Sequence, residues 1–224
     1  MRLNPLLRRA PATRARHRRA VGGMWEEIGL LQRDFLLAQG LEPGHRLLDI
    51  GCGSLRGGIH AIRYLESGHY YGVDRSGDLL RAGRNLELPL HGLADRRPHL
   101  LENNDFEFGR FGVAFDFALA QSVFTHLPFN RIMRCLVEVA NVLKPRGRLF
   151  ATFFEQSGCD FTNDPILHPA AEGVRPIRTY PDADPYHHPV RLFQAFCAAS
   201  PLEFRYVGEW GHPRGQRMLE FRRL

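Results

Sequence analysis

The sequence predicts an α/β fold in which a mostly parallel sheet carries helices on both faces. Three observations predict it. Short apolar runs recur at Leu47 to Ile50, Tyr70 to Val73 and Phe115 to Ala120, the unbroken kind found in strands buried on both faces. Segments with helical periodicity separate them. A glycine turn, Gly51-Cys52-Gly53, joins the first run to the helix after it.

The chain opens with seven arginines in its first twenty residues (Arg2, Arg8, Arg9, Arg14, Arg16, Arg18, Arg19), no acid, and no clean apolar stripe. Residues 1–22 are therefore expected to be a disordered, solvated tail and residues 23–224 a single domain. An arginine-rich, acid-free start also resembles a transit peptide, although serines are few. Met24 to Gln39 puts Trp25, Ile28, Leu31, Phe35 and Ala38 on one helical face, read as a cover for the sheet edge or for the mouth of a site.

The first strand holds Leu47, Leu48 and Ile50. After the glycine turn, Gly57, Gly58, Ile59, Ile62 and Leu65 begin a helix. A second strand, His69 to Val73, leads to Asp74, and Ser76 suits the N-cap of a helix reaching Glu87. His99 to Leu101 is a weak third strand, followed by Asn103-Asn104-Asp105-Phe106, which also reads as a surface turn. The fourth strand, Phe115 to Ala120, delivers Gln121 and then His126. A helix from Phe129 to Leu143 is stopped by Lys144-Pro145-Arg146-Gly147. The fifth strand, Arg148 to Phe154, ends at Glu155.

Residues 156–189 are rich in proline, aspartate, histidine and aromatics, and are longer than loops usually run without a role. Cys159, Asp160, His168, Asp182, Asp184, His187 and His188 lie here in no zinc or iron spacing, so the segment is read as a polar lid and no metal is assigned. A helix from Val190 to Ala199 and strands near Glu203 to Val207 and Arg217 to Phe221 close the chain. Between those strands sit Trp210, His212, Arg214 and Gln216, read as holding the hairpin.

With 224 residues and 44% hydrophobic content, one substantial core is expected. Four cysteines without a C-x-x-C pair point to free thiols in a reducing cytoplasm, and no apolar run approaches a membrane span. Outside the first twenty residues, 23 basic residues face 24 acidic ones, which argues against a nucleic-acid surface built into the fold.

A strand, a glycine turn and a helix N-terminus form a nucleotide cradle, and Asp74 is placed to accept hydrogen bonds from ribose hydroxyls. That much suits NAD also. Asp49, however, stands just ahead of the glycines, where it would repel a pyrophosphate but attract an ammonium or sulfonium. The glycines at 51, 53, 57 and 58 also depart from G-x-G-x-x-G.

Asp49, Gly51 and Gly53 resemble motif I of the class I S-adenosylmethionine (SAM) methyltransferases, with Leu55 where a third glycine is common. The resemblance covers residues 40 to 155 and includes the Leu-Lys-Pro-x-Gly link before the fifth strand. It implies a Rossmann-like sandwich: a mostly parallel seven-stranded sheet with an antiparallel final strand and helices on both faces. It implies SAM as cofactor, held by Asp49, Gly51, Cys52, Gly53, Asp74 and Arg75, with Asn104, Asp105 and Phe106 at the adenine and Gln121 beside the sulfonium. It also implies that the first helix is a lid and that residues 156–189 shape the acceptor pocket. His126, Glu155 and His187 are candidate catalytic bases; for His126 the packing role is taken first. No Asn/Asp-Pro-Pro-Tyr/Phe sequence follows the fourth strand, and the single lysine, Lys144, sits at a helix end. These features leave a small-molecule or lipid-like acceptor, methylated on oxygen or nitrogen by in-line displacement. An RNA or protein methyltransferase docked by the arginine tail, a dinucleotide oxidoreductase and a non-catalytic SAM-binding module remain as alternatives.

Overall fold

In a computed structural model of the chain, residues 16–156, 158 and 162–224 are described, and the chain divides into two compact units at Asn104 and Asp105. The first holds α1 (Trp25–Ala38), β1 (Leu47–Ile50), α2 (Gly58–Tyr64), β2 (Tyr70–Asp74), α3 (Gly77–Ala82) and β3 (His99–Glu102). Its three strands are parallel, with β2 in the middle: Leu48 faces Tyr71, and Tyr71 faces His99. Every residue of β1 is buried, as its apolar run requires.

The first helix forms as expected, but with its face turned. It buries Trp25, Ile28, Gly29, Gln32 and Leu36, while Leu31 and Phe35 are half-buried and Ala38 is exposed. Close approach sets this face more than apolarity does. A Cβ on Gly29 would stand 2.7 Å from the Arg56 carbonyl oxygen, and the Gln32 amide fills the space that a Cβ on Gly57 would need.

Ser76 caps α3 as its residue type predicts, accepting the Leu79 amide at 3.3 Å. The helix does not run regularly to Glu87. It widens into a π-helical turn over Gly83–Glu87, against which the Leu55 side chain packs: a Cβ on Gly83 would lie 2.8 Å from Leu55 Cγ. The same turn carries Glu87 into the interior, where its side chain is fully buried. Residues 16–20 are helical, so the expectation of a disordered tail does not hold for residues 16–22; His17 and Arg18 find a partner in that buried carboxylate. The rest of the expected tail lies outside the described residues.

The second unit holds β4 (Phe115–Ala120), α4 (Phe129–Val142), β5 (Leu143–Glu155), β6 (Ile166–His168), β7 (Ile177–Thr179), β8 (His187–His188), α5 (Val190–Ala198), β9 (Leu202–Gly208) and β10 (Arg217–Arg223). β5 is parallel to β4 on one side and antiparallel to β10 on the other, and β9 pairs antiparallel with β10. Around Phe193 the rings of Phe124, Phe129, Phe153 and Phe221 gather at 5.3 to 6.2 Å between centroids.

Two expectations are corrected here. Lys144-Pro145-Arg146-Gly147 stops the helix, yet it is the first part of β5 and not a loop. Leu143 pairs with Phe115 and Arg148 with Phe117, the extra residues bulge, and Arg146 takes φ 65°. The segment read as a polar lid, for which no strand is expected, contains the β6–β7 hairpin and β8, and β8 pairs in parallel with the carboxyl-terminal end of β5. Among the described residues no helix is long and apolar enough to cross a membrane.

Candidate functional site

The glycine turn follows β1 at its carboxyl-terminal end, the end at which parallel sheets bind ligands. Gly51 and Gly53 adopt φ 72° and 55°, which only glycine reaches without cost. The amides of Gly51 and Cys52 both donate to the Val73 carbonyl, at 2.8 and 3.0 Å. The Gly53 amide donates to Asp74 Oδ2 at 2.8 Å, while Asp74 Oδ1 accepts from the Ser76 amide at 2.8 Å. Asp74 therefore ties the turn to the end of β2. Leu55 takes φ 73°, a left-handed form that glycine reaches more easily, with its side chain fully buried.

Asp49 is the electrostatic centre of this unit. Its carboxyl is buried and accepts the Tyr70 hydroxyl at 2.5 Å. Burial lifts its pKa to about 7, outweighing the opposing hydrogen bond from Tyr70 and the charge of Arg56. Burial also pushes the Cys52 thiol well up, so it is an inert packing group rather than a nucleophile. Asp49, Gly51, Cys52, Gly53 and Asp74 are thus brought together, whereas Arg75 and Asn104 are exposed just beyond β2 and β3.

The other named residues belong to the second unit. Phe106 is buried at φ 60°, with the Arg131 guanidinium 5.0 Å from its ring centroid and 3.4 Å from the Asp105 carboxylate. Gln121, at the carboxyl-terminal end of β4, is buried; its amide nitrogen lies 2.7 Å from Ser122 Oγ and 3.2 Å from His212 Nε2. Ser122 in turn donates its amide to Thr152 Oγ1 at 2.7 Å and its hydroxyl to Gln216 Oε1 at 3.0 Å; Thr152 donates to the same oxygen at 2.7 Å. The hydroxyls and side-chain amides of this partly buried cluster carry no formal charge.

Each of the three candidate bases has its own surroundings. His126 is exposed, with Nδ1 2.6 Å from Asp184. Glu155 accepts the Tyr206 hydroxyl at 2.6 Å. His187 is buried on β8: Thr179 Oγ1 lies 2.9 Å from its Nδ1 and 2.8 Å from His168 Nε2, and its Nε2 has no hydrogen-bond partner among the described residues. Burial lowers the pKa of His168, His187 and His188, those of His168 and His188 to about 4. Cys159 and Asp160 lie outside the described residues, among which no group of three or more histidine, cysteine or acidic side chains could hold a metal ion.

Sequence reasoning missed the Tyr70 hydroxyl, Gln32, Arg56 and the links of Ser122 and Thr152 to Gln216, a residue read only as holding the hairpin. Tyr70 reads as an apolar strand residue, and its polar end matters only once Asp49 lies beside it. No periodicity marks the others, since their partners are far away along the chain.

Residues 48–149 match the methyltransferase domain family. Among solved structures, magnesium protoporphyrin IX methyltransferase (ChlM) from Synechocystis PCC 6803, with bound S-adenosylhomocysteine (SAH), matches with a TM-score of 0.64 at 17% identity over 98% of each chain. The CcbJ methyltransferase from Streptomyces caelestis gives 0.65 at 13% identity over 91% of this chain and 98% of its own. The glycopeptide N-methyltransferase MtfA, complexed with SAH, gives 0.58 at 14% identity over 86% and 88%. At these identities the likeness is one of fold: the Rossmann-like arrangement, mostly parallel with an antiparallel final strand.

Proposed function

We propose that the chain, whose residues 48–149 match a methyltransferase domain, is a class I SAM-dependent methyltransferase and that it methylates an oxygen or nitrogen of a small-molecule or lipid-like acceptor. The observation that carries the cofactor half is the buried Asp49 carboxyl beside the glycine turn, whose charged form is under-stabilised until a cation meets it. Bound SAM supplies such a cation, its ammonium, together with an electrophilic methyl group on a sulfonium. Asp49 and the turn of Gly51, Cys52 and Gly53 would line the amino-acid end, Asp74 and Arg75 the ribose, Asn104, Asp105 and Phe106 the base, and Gln121 the sulfonium side.

For the acceptor half, the uncharged cluster of Ser122, Thr152 and Gln216 at the ends of β4 and β5 supports a neutral acceptor. In-line methyl transfer depends mainly on alignment and exclusion of water, and a base is needed only where the nucleophile keeps its proton. Of the three candidates, His187 offers the ring nitrogen without a partner among the described residues, and we assign it that role ahead of His126 and Glu155. Lys144 is an unsuitable base: its ammonium grips Asp116 at 2.7 and 2.8 Å, near the amino-terminal end of β4. The buried, free thiols of Cys52, Cys135 and Cys197 accord with a reducing cytoplasm.

Calorimetric titration with SAM, SAH and NADH tests the reading, with Asp74→Ala as control. We expect micromolar binding of the two adenosyl ligands and its loss in the variant, followed by methyl incorporation in an acceptor screen. Binding of NADH alone would overturn it. The second reading, an RNA or protein acceptor, rests on the arginine concentration at the N-terminus. Deleting residues 1–15 would then abolish acceptor binding and leave SAM binding intact.

A further inference from the structure

The segment ahead of α1 is tied to the glycine turn from both sides. Arg18 donates Nε and Nη2 to the two carboxylate oxygens of Glu87, at 2.8 and 2.7 Å, and its guanidinium lies 4.3 Å from the centroid of the Trp25 ring. His17 Nε2 and His91 Nε2 each stand 3.3 Å from the same buried carboxylate. The other nitrogen of His17 is 3.0 Å from the hydroxyl of Ser54, a fully buried residue of the glycine turn. From the turn itself, the buried Arg56 donates Nη1 to the carbonyls of Val21 and Gly23 at 2.7 and 2.9 Å. Val21 Cγ1 lies 2.6 Å from where a Cβ on Gly53 would be.

Burying a carboxylate is costly unless it is paired, and here the strongest partner comes from the arginine-rich segment. The turn it reaches holds Leu55 at φ 73°, a left-handed conformation that an L side chain keeps only when its surroundings enforce it. Those surroundings include residues 17–23.

We propose that Arg18 and His17 are positioning residues for cofactor binding: Arg18 anchors the segment on Glu87, His17 holds Ser54, and together they keep the turn of residues 51–55 in the form that receives SAM. The inference rests on the reading of that turn as the SAM site. One face of the N-terminal segment is thereby a wall of the cofactor cradle rather than a solvated tail.

The test is titration of full-length protein with SAM and SAH, with amide hydrogen exchange over residues 51–55 measured without ligand. Arg18→Ala should weaken both ligands about tenfold and speed exchange in the turn. Arg16→Ala, an equal loss of charge at an exposed neighbour, should stay within about twofold. Ser54→Ala, which spares the ion pair, should weaken binding about threefold, and it serves if Arg18→Ala does not fold. The double variant Arg18→Ala with Glu87→Gln removes the unpaired buried charge. Its thermal stability should recover relative to Arg18→Ala while SAM affinity stays low. Recovery of affinity together with stability would overturn the positioning role, as would unchanged binding and exchange in Arg18→Ala. If the wild type bound neither adenosyl ligand, the methyltransferase reading would fail, while the exchange data would still decide whether Arg18 orders the turn.

Discussion

Tyr70 donates its hydroxyl to Asp49 across 2.5 Å, from one strand of the parallel sheet to its neighbour. The Asp49 carboxyl titrates near 7 in the fold, against an ordinary value of 3.8, chiefly because burial disfavours its charge. A raised carboxyl contributes stability that is fully present below its unfolded value and is lost as pH rises to about 7. At 1.36 kcal/mol per pH unit that loss is at most roughly 4 kcal/mol. Asp49→Asn should therefore narrow the stability difference between wild type at pH 5 and at pH 8, as read by urea midpoints.

The same proton links to the cofactor. If an ammonium meets the ionised Asp49, binding expels a proton below pH 7, so SAM affinity should climb by up to about tenfold per pH unit until it levels near 7. Titrations at pH 6, 7 and 8 check this, with calorimetry in two buffers of different ionisation enthalpy counting the proton. A flat profile in wild type would remove Asp49 from the site.

Leu55 gives a prediction whose sign runs against habit. Its buried side chain packs against Gly58 and Gly83, so truncation to alanine should cost about 2 to 5 kcal/mol. Glycine normally costs a further ~0.5 to 1 kcal/mol below alanine. At φ 73°, however, alanine retains left-handed strain of roughly 1 to 2 kcal/mol that glycine escapes. Leu55→Gly should therefore be at least as stable as Leu55→Ala in chemical denaturation, and the usual order would show that the turn relaxes.

How far all this was legible follows from the range of each interaction. β4 was read at its observed bounds, and the Ser76 cap by its residue type, because an unbroken apolar run and a single hydroxyl are local signals. The turn of Gly51 and Gly53 after β1 and the place of Asp74 at the end of β2 are legible for the same reason. The buried face of α1 was misjudged because Gly29 and Gln32 carry no apolar mark. β6 to β8 are strands of two or three residues set by pairing with distant partners, which no window of sequence contains. Arg18 looked like one more tail arginine because its partner, Glu87, lies 69 residues away.

Thr179 is fully buried between two imidazoles, His168 Nε2 at 2.8 Å and His187 Nδ1 at 2.9 Å. Its single hydroxyl serves both, so Thr179→Val leaves two buried ring nitrogens unsatisfied. At about 1 to 3 kcal/mol for each group, a loss of roughly 2 to 6 kcal/mol is expected despite matched shape. Because His168 and His188 have pKa values lowered to about 4, the unfolded chain takes up their protons first, and these residues make stability fall as pH drops from about 6.5 to 4. That slope opposes the one from Asp49. It should stand out once Asp49→Asn has removed the other, as a rising urea midpoint between pH 4.5 and 6.5.

Thr152 decides whether the carboxyl-terminal end of β4 is merely stable or is tuned for transfer. Its hydroxyl accepts the Ser122 amide and donates to Gln216, and Ser122 holds φ 58°, a strained form that needs such anchoring. Thr152→Val keeps the volume but strips the Ser122 amide of its acceptor and Gln216 of one of its two donors, so a stability cost of about 2 kcal/mol is expected. The functional consequence reaches the neighbouring Gln121, whose amide nitrogen is 2.7 Å from Ser122 Oγ. Because Gln121 is assigned to the sulfonium side of the cofactor, loss of the anchor should weaken SAM binding a few-fold and lower the rate of methyl transfer at saturating SAM. Unchanged affinity and rate would separate Thr152 and Ser122 from the site.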